Sequence, residues 1–364
     1  MKIVKVEPIL IDVPLKLSGA VPMSSGEARR SINTLLVKVE TDEGLTGYGE
    51  AFGLAGAMAT YAAVKHIVAP RCIGRDATQI VDLMNDLYRR LYNCGRNGPV
   101  VFGMSGIEIA LWDIAGKRAG LPLYQLLGGS SRSSLPAYAS LLRYGEIQPV
   151  TEYIGQALER GYRLIKLHEN KLDIIRAARK AAGPDIPIMV DCTCPWTLDE
   201  ALAMSRQLED QNITWLEEPL YPPDDHAGLV RLRAASRIPI AAGENVSNVF
   251  EFKRLFEAGA LGFAQPSITK IGGVTEIRKV FALAEAFGVT VVPHSPYFGP
   301  GLVASIHVCA ASTRPTWIER YYCDFEVHPF GDVIHPKNGD IVIPQGPGLG
   351  IEPDLNIVEK LRIA

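Results

Sequence analysis

The chain has 364 residues, which at about 150 residues per domain suggests two domains or one large barrel with an accessory piece. Hydrophobic residues at 47% and charged residues at 21% exclude global disorder. The 37 Lys and Arg against 40 Asp and Glu, with no run of five like charges, leave no footprint for nucleic acid or an anionic membrane surface. No stretch is read as the roughly 20 consecutive apolar residues of a spanning helix. The N-terminus lacks the apolar core and cleavage site of a leader, and the six cysteines are too sparse for a disulfide framework. A cytoplasmic protein with reduced thiols is expected.

In chain order, IVKVEPILIDVPL reads as a strand, residues 18–26 as a Gly/Ser/Pro-rich loop, and INTLLVKVETDEGLTGYGE as a hairpin turning at TDEG. Residues 58–128 change to a period of three and four, as in VVFGMSGIEIALWDIAGKRAG, and are predicted helical. The first third is therefore an α+β module. After LLGGSSRSS, eight β-rich runs alternate with amphipathic helical stretches: LPAYASL, YRLIKLH, IPIMVD, ITWLEE, IPIAAGE, LGFAQPS, VTVVPH and PTWIE. Eight such units predict an α/β (β/α)8 barrel rather than an open doubly wound sheet.

The residues that close these runs carry the functional signal. From Lys166 and His168 the series continues through Asp191, Glu217, Glu244, Ser267, His294 and Glu319, spaced 23–27 residues apart when counted from Lys166. A single polar residue at a strand end reads as a helix cap or a surface ion pair. One per β/α unit at this period converges on the mouth formed by the C-terminal strand ends.

Asp191, Glu217 and Glu244 on successive strands are three hard oxygen donors, a set that suits Mg2+ better than Zn2+ or copper. The alternative is that each carboxylate pairs with a neighbouring Lys or Arg. Lys166 and His168, two apart on a strand, face the same way, and His294 lies about opposite. A cation flanked by opposed proton carriers is what abstraction of a proton α to a carboxylate requires. Cys192 and Cys194 read as ordinary barrel cysteines, and Arg143, Tyr144 and Tyr297 as loop packing.

The segments GYGE (47–50), MSGIEIALWDIAGKRAGLPLYQLLGG (104–129), VDCTCPWT, WLEEPL, AAGEN, KIGGVTE, VPH, WIER and GPGLGIE, in this order, resemble the enolase superfamily, most closely its mandelate racemase-like branch. The resemblance implies a modified TIM barrel, (β/α)7β, under an N-terminal α+β capping domain. The expected division is a cap over 1–128, a barrel over 129–325 and a C-terminal segment, 326–364, returning to the cap. It implies Mg2+ as cofactor, held by Asp191, Glu217 and Glu244. Lys166-Leu167-His168 falls on the branch's Lys-x-Lys motif, with His168 in the place of the basic second lysine and Lys166 beside the substrate carboxylate. His294 matches the opposing histidine, and Glu319 a glutamate that hydrogen-bonds the substrate carboxylate. Cap loops near 15–30 and 51–58 are expected to close over the substrate.

Two positions depart from the branch. Ser267 stands where an Asp usually pairs with the histidine, and Thr193 where an Asn commonly touches substrate. The expected activity is Mg2+-dependent α-proton abstraction from a small carboxylate, foremost dehydration of a sugar acid to a 2-keto-3-deoxy acid. Racemisation or epimerisation of a 2-hydroxy acid, lactone cycloisomerisation and a catalytically inactive metal-binding barrel are the alternatives. The resemblance also implies a homo-oligomer, often an octamer, with no nucleic-acid or membrane partner.

Overall fold

The computed structural model describes residues 1–24, 26–54 and 56–364. The cap opens with β1 (Ile3–Pro14), followed by a short hairpin, β2 (Met23–Ser24) and β3 (Glu27–Ala28), and by β4 (Ser31–Thr41) and β5 (Thr46–Ala51). β1, β4 and β5 form an antiparallel sheet in the order β1-β4-β5. The period-2 pattern of these strands serves two cores. Leu10, Leu35, Val37 and Val39 face the cap helices, while Ile9, Ile11, Val13, Ile32 and Leu36 join the core shared with the barrel. Residues 25 and 55, within the two loops expected to close over substrate, lie outside the described residues.

The cap helices are α1 (Ala57–Ala63), which passes through a π turn (Val64–Val68) into α2 (Ala69–Cys72), then α3 (Ile80–Arg90), α4 (Pro99–Ala119) and α5 (Leu123–Leu126). α4 lies close on β5: a methyl group at Gly49 would run into the carbonyl oxygen of Gly106, so the two glycines permit the approach. α4 is long and apolar enough by length and composition to cross a membrane, although Glu108 and Asp113 interrupt its apolar run and 78% of its apolar window is packed inside the protein.

The barrel runs β6 (Ser134–Leu141), α6 (Ile147–Glu159), β7 (Ile165–Leu167), α7 (Leu172–Ala182), β8 (Ile188–Asp191), α8 (Leu198–Leu208), β9 (Ile213–Glu217) and α9 (His226–Ala235). It continues through β10 (Ile240–Ala242), α10 (Val249–Glu257), β11 (Phe263–Ala264), α11 (Val274–Phe287), β12 (Thr290–Val291), α12 (Pro300–Ala310) and β13 (Ile318–Tyr322). The strands follow the order β12-β11-β10-β9-β8-β7-β6-β13, parallel throughout. Eight strands with a helix in each of seven intervals make a (β/α)7β sheet; a strict eightfold is excluded because β13 leads into the C-terminal segment instead of an eighth helix. The sheet curls, and among the described residues no ladder joins β12 to β13. There Thr316 Oγ1 donates to the carbonyl of Val291 at 2.7 Å and bridges the seam.

β14 (Asp340–Val342) adds antiparallel to β6, and after α13 (Leu355–Leu361) the chain reaches β1, where Leu10 N–H donates to Ala364 O at 2.9 Å. Buried cap carboxylates dock the barrel. Glu50 accepts from Gly301 N–H (2.9 Å) at the start of α12, and Glu108 from Val274 and Thr275 N–H (2.7 and 2.9 Å) at the start of α11. Both sit where helix N-termini leave unpaired donors and a positive dipole end. Asp113 accepts from Tyr48 N–H in the cap (3.0 Å) and Leu349 N–H in the C-terminal segment (2.8 Å).

The barrel interior is closed by a plug that draws one side chain from each strand or its approach: Tyr138, Leu164, Met189, Trp215, Ala241, Phe263, Val292 and Trp317. Trp215 packs between Phe263 and Trp317 at centroid distances of 4.8 and 5.8 Å. Everything above this layer therefore opens only toward the cap.

Candidate active site

Side chains alternate across a strand, so the residues two places beyond the plug point into the same interior, one storey nearer the mouth. They are Ser140, Lys166, Asp191, Glu217, Gly243, Gln265, His294 and Glu319. The sequence series and this layer coincide at five positions. Glu244 stands one residue past Gly243, two beyond the end of β10. His168 and Ser267 occupy the next storey up. Glu319 is the second residue of β13 rather than its end, because that strand stays paired with β6 as far as Tyr322.

Lys166, fully buried, gathers the floor. Its Nζ lies 2.6 Å from Glu217, 2.7 Å from Glu319 and 3.3 Å from Asp191. Burial opposes the charge of its ammonium, but Glu217, Glu319 and Asp191 more than offset this and hold it well above the ordinary lysine range. Lys166 is thus the cation that holds the three floor carboxylates together. Ser140 Oγ donates to Glu319 at 2.8 Å, and Trp215 Nε1, from the plug, to Glu217 at 2.9 Å.

Asp191, Glu217 and Glu244 each offer one oxygen within 4.8 Å of the others. Hard donors converging from three successive strands fit a divalent cation held at about 2.1 Å by oxygen. Burial alone would raise these acids. Lys166 and His168 reverse that at Asp191, which lies well below the usual carboxylate range, and His294 brings Glu244 down to about 2. Burial pushes Glu217 up, Lys166 pulling against it and Asp191 and Glu319 adding to the rise.

The two histidines flank the carboxylate trio. His168 Nδ1 lies 2.6 Å from Leu141 O; a carbonyl only accepts, so Nδ1 bears a proton and Nε2 is the nitrogen presented to the site. That Nε2 points inward, 3.2 Å from Asp191 Oδ2. His294 is arranged in the same way, its Nε2 lying 3.0 Å from Glu244 Oε2 while Nδ1 faces Ser267 Oγ at 3.3 Å. Ser267 is in turn hydrogen-bonded to the buried phenol of Tyr297. Where the branch's Asp is missing, a Ser267–Tyr297 pair thus orients His294.

Thr193 adopts a left-handed φ of 58°, a strained conformation for a β-branched residue. There its N–H donates to Asp191 Oδ1 at 2.9 Å and its Oγ1 accepts from Arg143 Nη2 at 2.6 Å. Arg143 also donates from Nε to His168 O at 2.8 Å, and Glu169 steadies the loop by accepting from Tyr144 and Gly145 N–H, both 2.9 Å. Arg143 is therefore in the mouth, where the sequence reading had packing. With Arg29, Phe52, Leu54 and Tyr321 it lines a cavity of about 390 Å³ that also exposes His168, Asp191, Thr193, Glu244 and His294. Gln265 was not singled out by sequence, yet it occupies the site layer with neither amide atom bonded among the described residues. Cys192 is core and Cys194 lies 3.8 Å from Glu218; all six cysteines are free.

Known proteins match this arrangement along nearly the whole chain. Residues 5–128 match the mandelate racemase / muconate lactonizing enzyme N-terminal domain and residues 150–357 the enolase C-terminal domain-like family. The chain is 32% identical over 337 residues to arabinonate dehydratase of Saccharolobus solfataricus, covering 89% of each. It is 33% identical over 348 residues to D-galactarolactone cycloisomerase of Agrobacterium fabrum, covering 90% of this chain and 91% of that one. The crystal structure of L-talarate dehydratase from Polaromonas sp. JS666, complexed with Mg and L-glucarate, superposes with a TM-score of 0.87 at 29% identity, covering 100% and 98% of the two chains. The chain belongs to the mandelate racemase/muconate lactonizing enzyme family of the enolase superfamily.

Proposed function

We propose that this protein dehydrates a sugar acid by removing the proton α to its carboxylate, giving a 2-keto-3-deoxy acid. The observation that carries the reading is that two histidines flank the carboxylate trio, each with Nε2 turned to it, His168 at Asp191 and His294 at Glu244. We assign His168 as the α-proton acceptor and His294 as the donor to the departing β-hydroxyl, both lining the cavity. Lys166 and Glu319, buried below the cavity lining, are the residues we assign to the substrate carboxylate. Asp191, Glu217 and Glu244 hold Mg2+, with Thr193 fixing the orientation of Asp191. When bound, Mg2+ supplies electrophilic stabilisation for the enediolate that α-proton removal creates. The plug beneath and the cap above keep bulk water from the floor.

Lactone cycloisomerisation uses the same base with a carboxylate as leaving group, and the similarity to a galactarolactone cycloisomerase supports it as a second reading. Racemisation needs a proton carrier on both faces, and a serine rather than a carboxylate behind His294 Nδ1 disfavours it. The six free thiols support a cytoplasmic setting. A homo-oligomer is part of the same proposal; Tyr92, Tyr221 and Phe250, each about 70% exposed, supply apolar surface for it.

The test is incubation of Mg2+-loaded protein with a panel of aldonic and aldaric acids and their lactones in deuterated water, reading 2-keto product and α-deuterium. Keto product from an open-chain acid is expected. Deuterium without keto product would replace dehydration with epimerisation, and neither signal from any acid would overturn the catalytic reading.

A further inference from the structure

Two guanidinium groups, of Arg29 and Arg143, line the cavity that also exposes Asp191, Thr193 and Glu244. Arg143 follows β6, and its Nε and Nη2 are spent on His168 O, Cys192 O and Thr193 Oγ1. Its Nη1 makes no hydrogen bond among the described residues. Arg29 follows the cap hairpin β2–β3, and among the described residues its side chain bonds only to Ser24 Oγ, from Nη2 at 2.6 Å. The hairpin is tied to Arg143 itself, since Met23 N–H donates to Arg143 O at 2.8 Å, so the two arginines belong to one stitched wall. Elsewhere in the molecule Arg75, Arg90, Arg160, Arg163 and Arg362 each meet a carboxylate. Among the described residues neither Arg29 nor Arg143 has a carboxylate within 4 Å, although both line the cavity that holds Asp191 and Glu244.

Fixed guanidinium donors without an anion, facing a cavity of ligand size, are a receptor for a carboxylate. We infer that the substrate is a dicarboxylic sugar acid, one carboxylate lying on the floor with Lys166 and Glu319 and the second held by Arg29 and Arg143. This rests on the reading of the floor given above and narrows it, because it selects diacids over the monoacids that some relatives are named for. Arg29 rides on the cap, so the second carboxylate would bridge cap and barrel. Arg143 donates to the backbone of His168, so occupation of the wall bears directly on the segment that carries the base.

Two measurements on the Mg2+-loaded protein test this. Calorimetric titration compares adipate with hexanoate, acids of equal chain length that carry no α-hydroxyl and do not react. Adipate is expected to bind at least about 10-fold more tightly, a preference that shrinks with added salt and is largely lost in Arg29→Gln and in Arg143→Gln, as expected for a charge-assisted hydrogen bond. Arg143→Lys, which keeps the charge, is expected to retain part of it. Arg29→Gln breaks only the bond to Ser24, so the folded state of that variant is secure. In parallel, α-deuterium exchange is measured on a hexonic acid and the corresponding hexaric acid, with kcat/KM expected to favour the diacid by a similar factor. Exchange without any diacid preference, or a preference untouched by both Gln variants, overturns the two-arginine receptor and leaves α-proton abstraction standing. Diacid binding that depends on both arginines, with no exchange from any acid, sustains the receptor and overturns the catalytic reading instead.

Discussion

Replacement of Lys166 by Met separates the structural role of the floor cation from its chemistry. The substitution keeps the length of the side chain but removes contacts at 2.6, 2.7 and 3.3 Å to Glu217, Glu319 and Asp191. Leaving buried carboxylates uncompensated costs about 3–5 kcal/mol. With an unfolding entropy near 2.1 cal/mol/K per residue, 364 residues give about 0.76 kcal/mol/K, so Tm should fall by about 4–7 °C. A divalent cation on Asp191, Glu217 and Glu244 restores positive charge to the same floor, so the deficit in saturating Mg2+ should be at most half of that in EDTA. Thermal unfolding of wild type and Lys166→Met, followed by circular dichroism at constant ionic strength in both media, gives the two differences. Equal deficits with and without Mg2+ would refute the claim that Lys166 and the cation balance the same carboxylates.

The histidines should separate in deuterated water: His168→Asn is expected to lose about 10²–10⁴-fold in α-exchange, whereas His294→Asn should keep exchange and lose keto product. Equal loss of exchange in both would point to two interchangeable bases. Tyr297→Phe deletes the phenol that bonds Ser267 behind His294; a loss of about 1 kcal/mol predicts a roughly 5–10-fold fall in kcat with KM little changed, and an unaltered kcat would remove Tyr297 from the argument. Burial raises Glu50 and Glu108 from 4.5 to about 7, against the pull of their N–H partners. Between those pH values the folded protein holds protons that the unfolded chain has released, so stability falls as pH rises through this window, by about 3 kcal/mol for each group. Denaturant titrations from pH 4.5 to 7.5 should show Glu108→Gln gaining about that much relative to wild type; a difference independent of pH would contradict the assignment.

The barrel was legible because alternation of strand and helix periods is a local signal, and because the polar residue ending most runs stands two places from a plug residue. Trp317 and Glu319 illustrate why that spacing is more robust than strand boundaries: β13 runs past Glu319, yet the side chain still lands in the site layer. The count of helices was less legible, since nothing near Tyr322 announces that the chain leaves the barrel there. Arg143 and Tyr297 were read as packing because their partners, Thr193 and Ser267, lie 50 and 30 residues away. Their roles exist only once neighbouring strands are in register. Glu108 and Asp113 were submerged in an apolar helical pattern, and only the closed structure reveals the donors that they satisfy, in the barrel for Glu108 and in the cap and C-terminal segment for Asp113.

The outer edge of β1 has a history as well as a geometry. An edge strand with open N–H and C=O groups is a template for unwanted pairing, and here Leu10 and Ile11 are covered by Ala364 and Arg362, with Arg362 also reaching Glu7 at 3.2 Å across 355 residues of sequence. During synthesis those covering residues leave the ribosome after the entire barrel. The β1-β4-β5 sheet can form before then, but its edge at Leu10 and Ile11 stays uncovered until residues 362–364 have emerged.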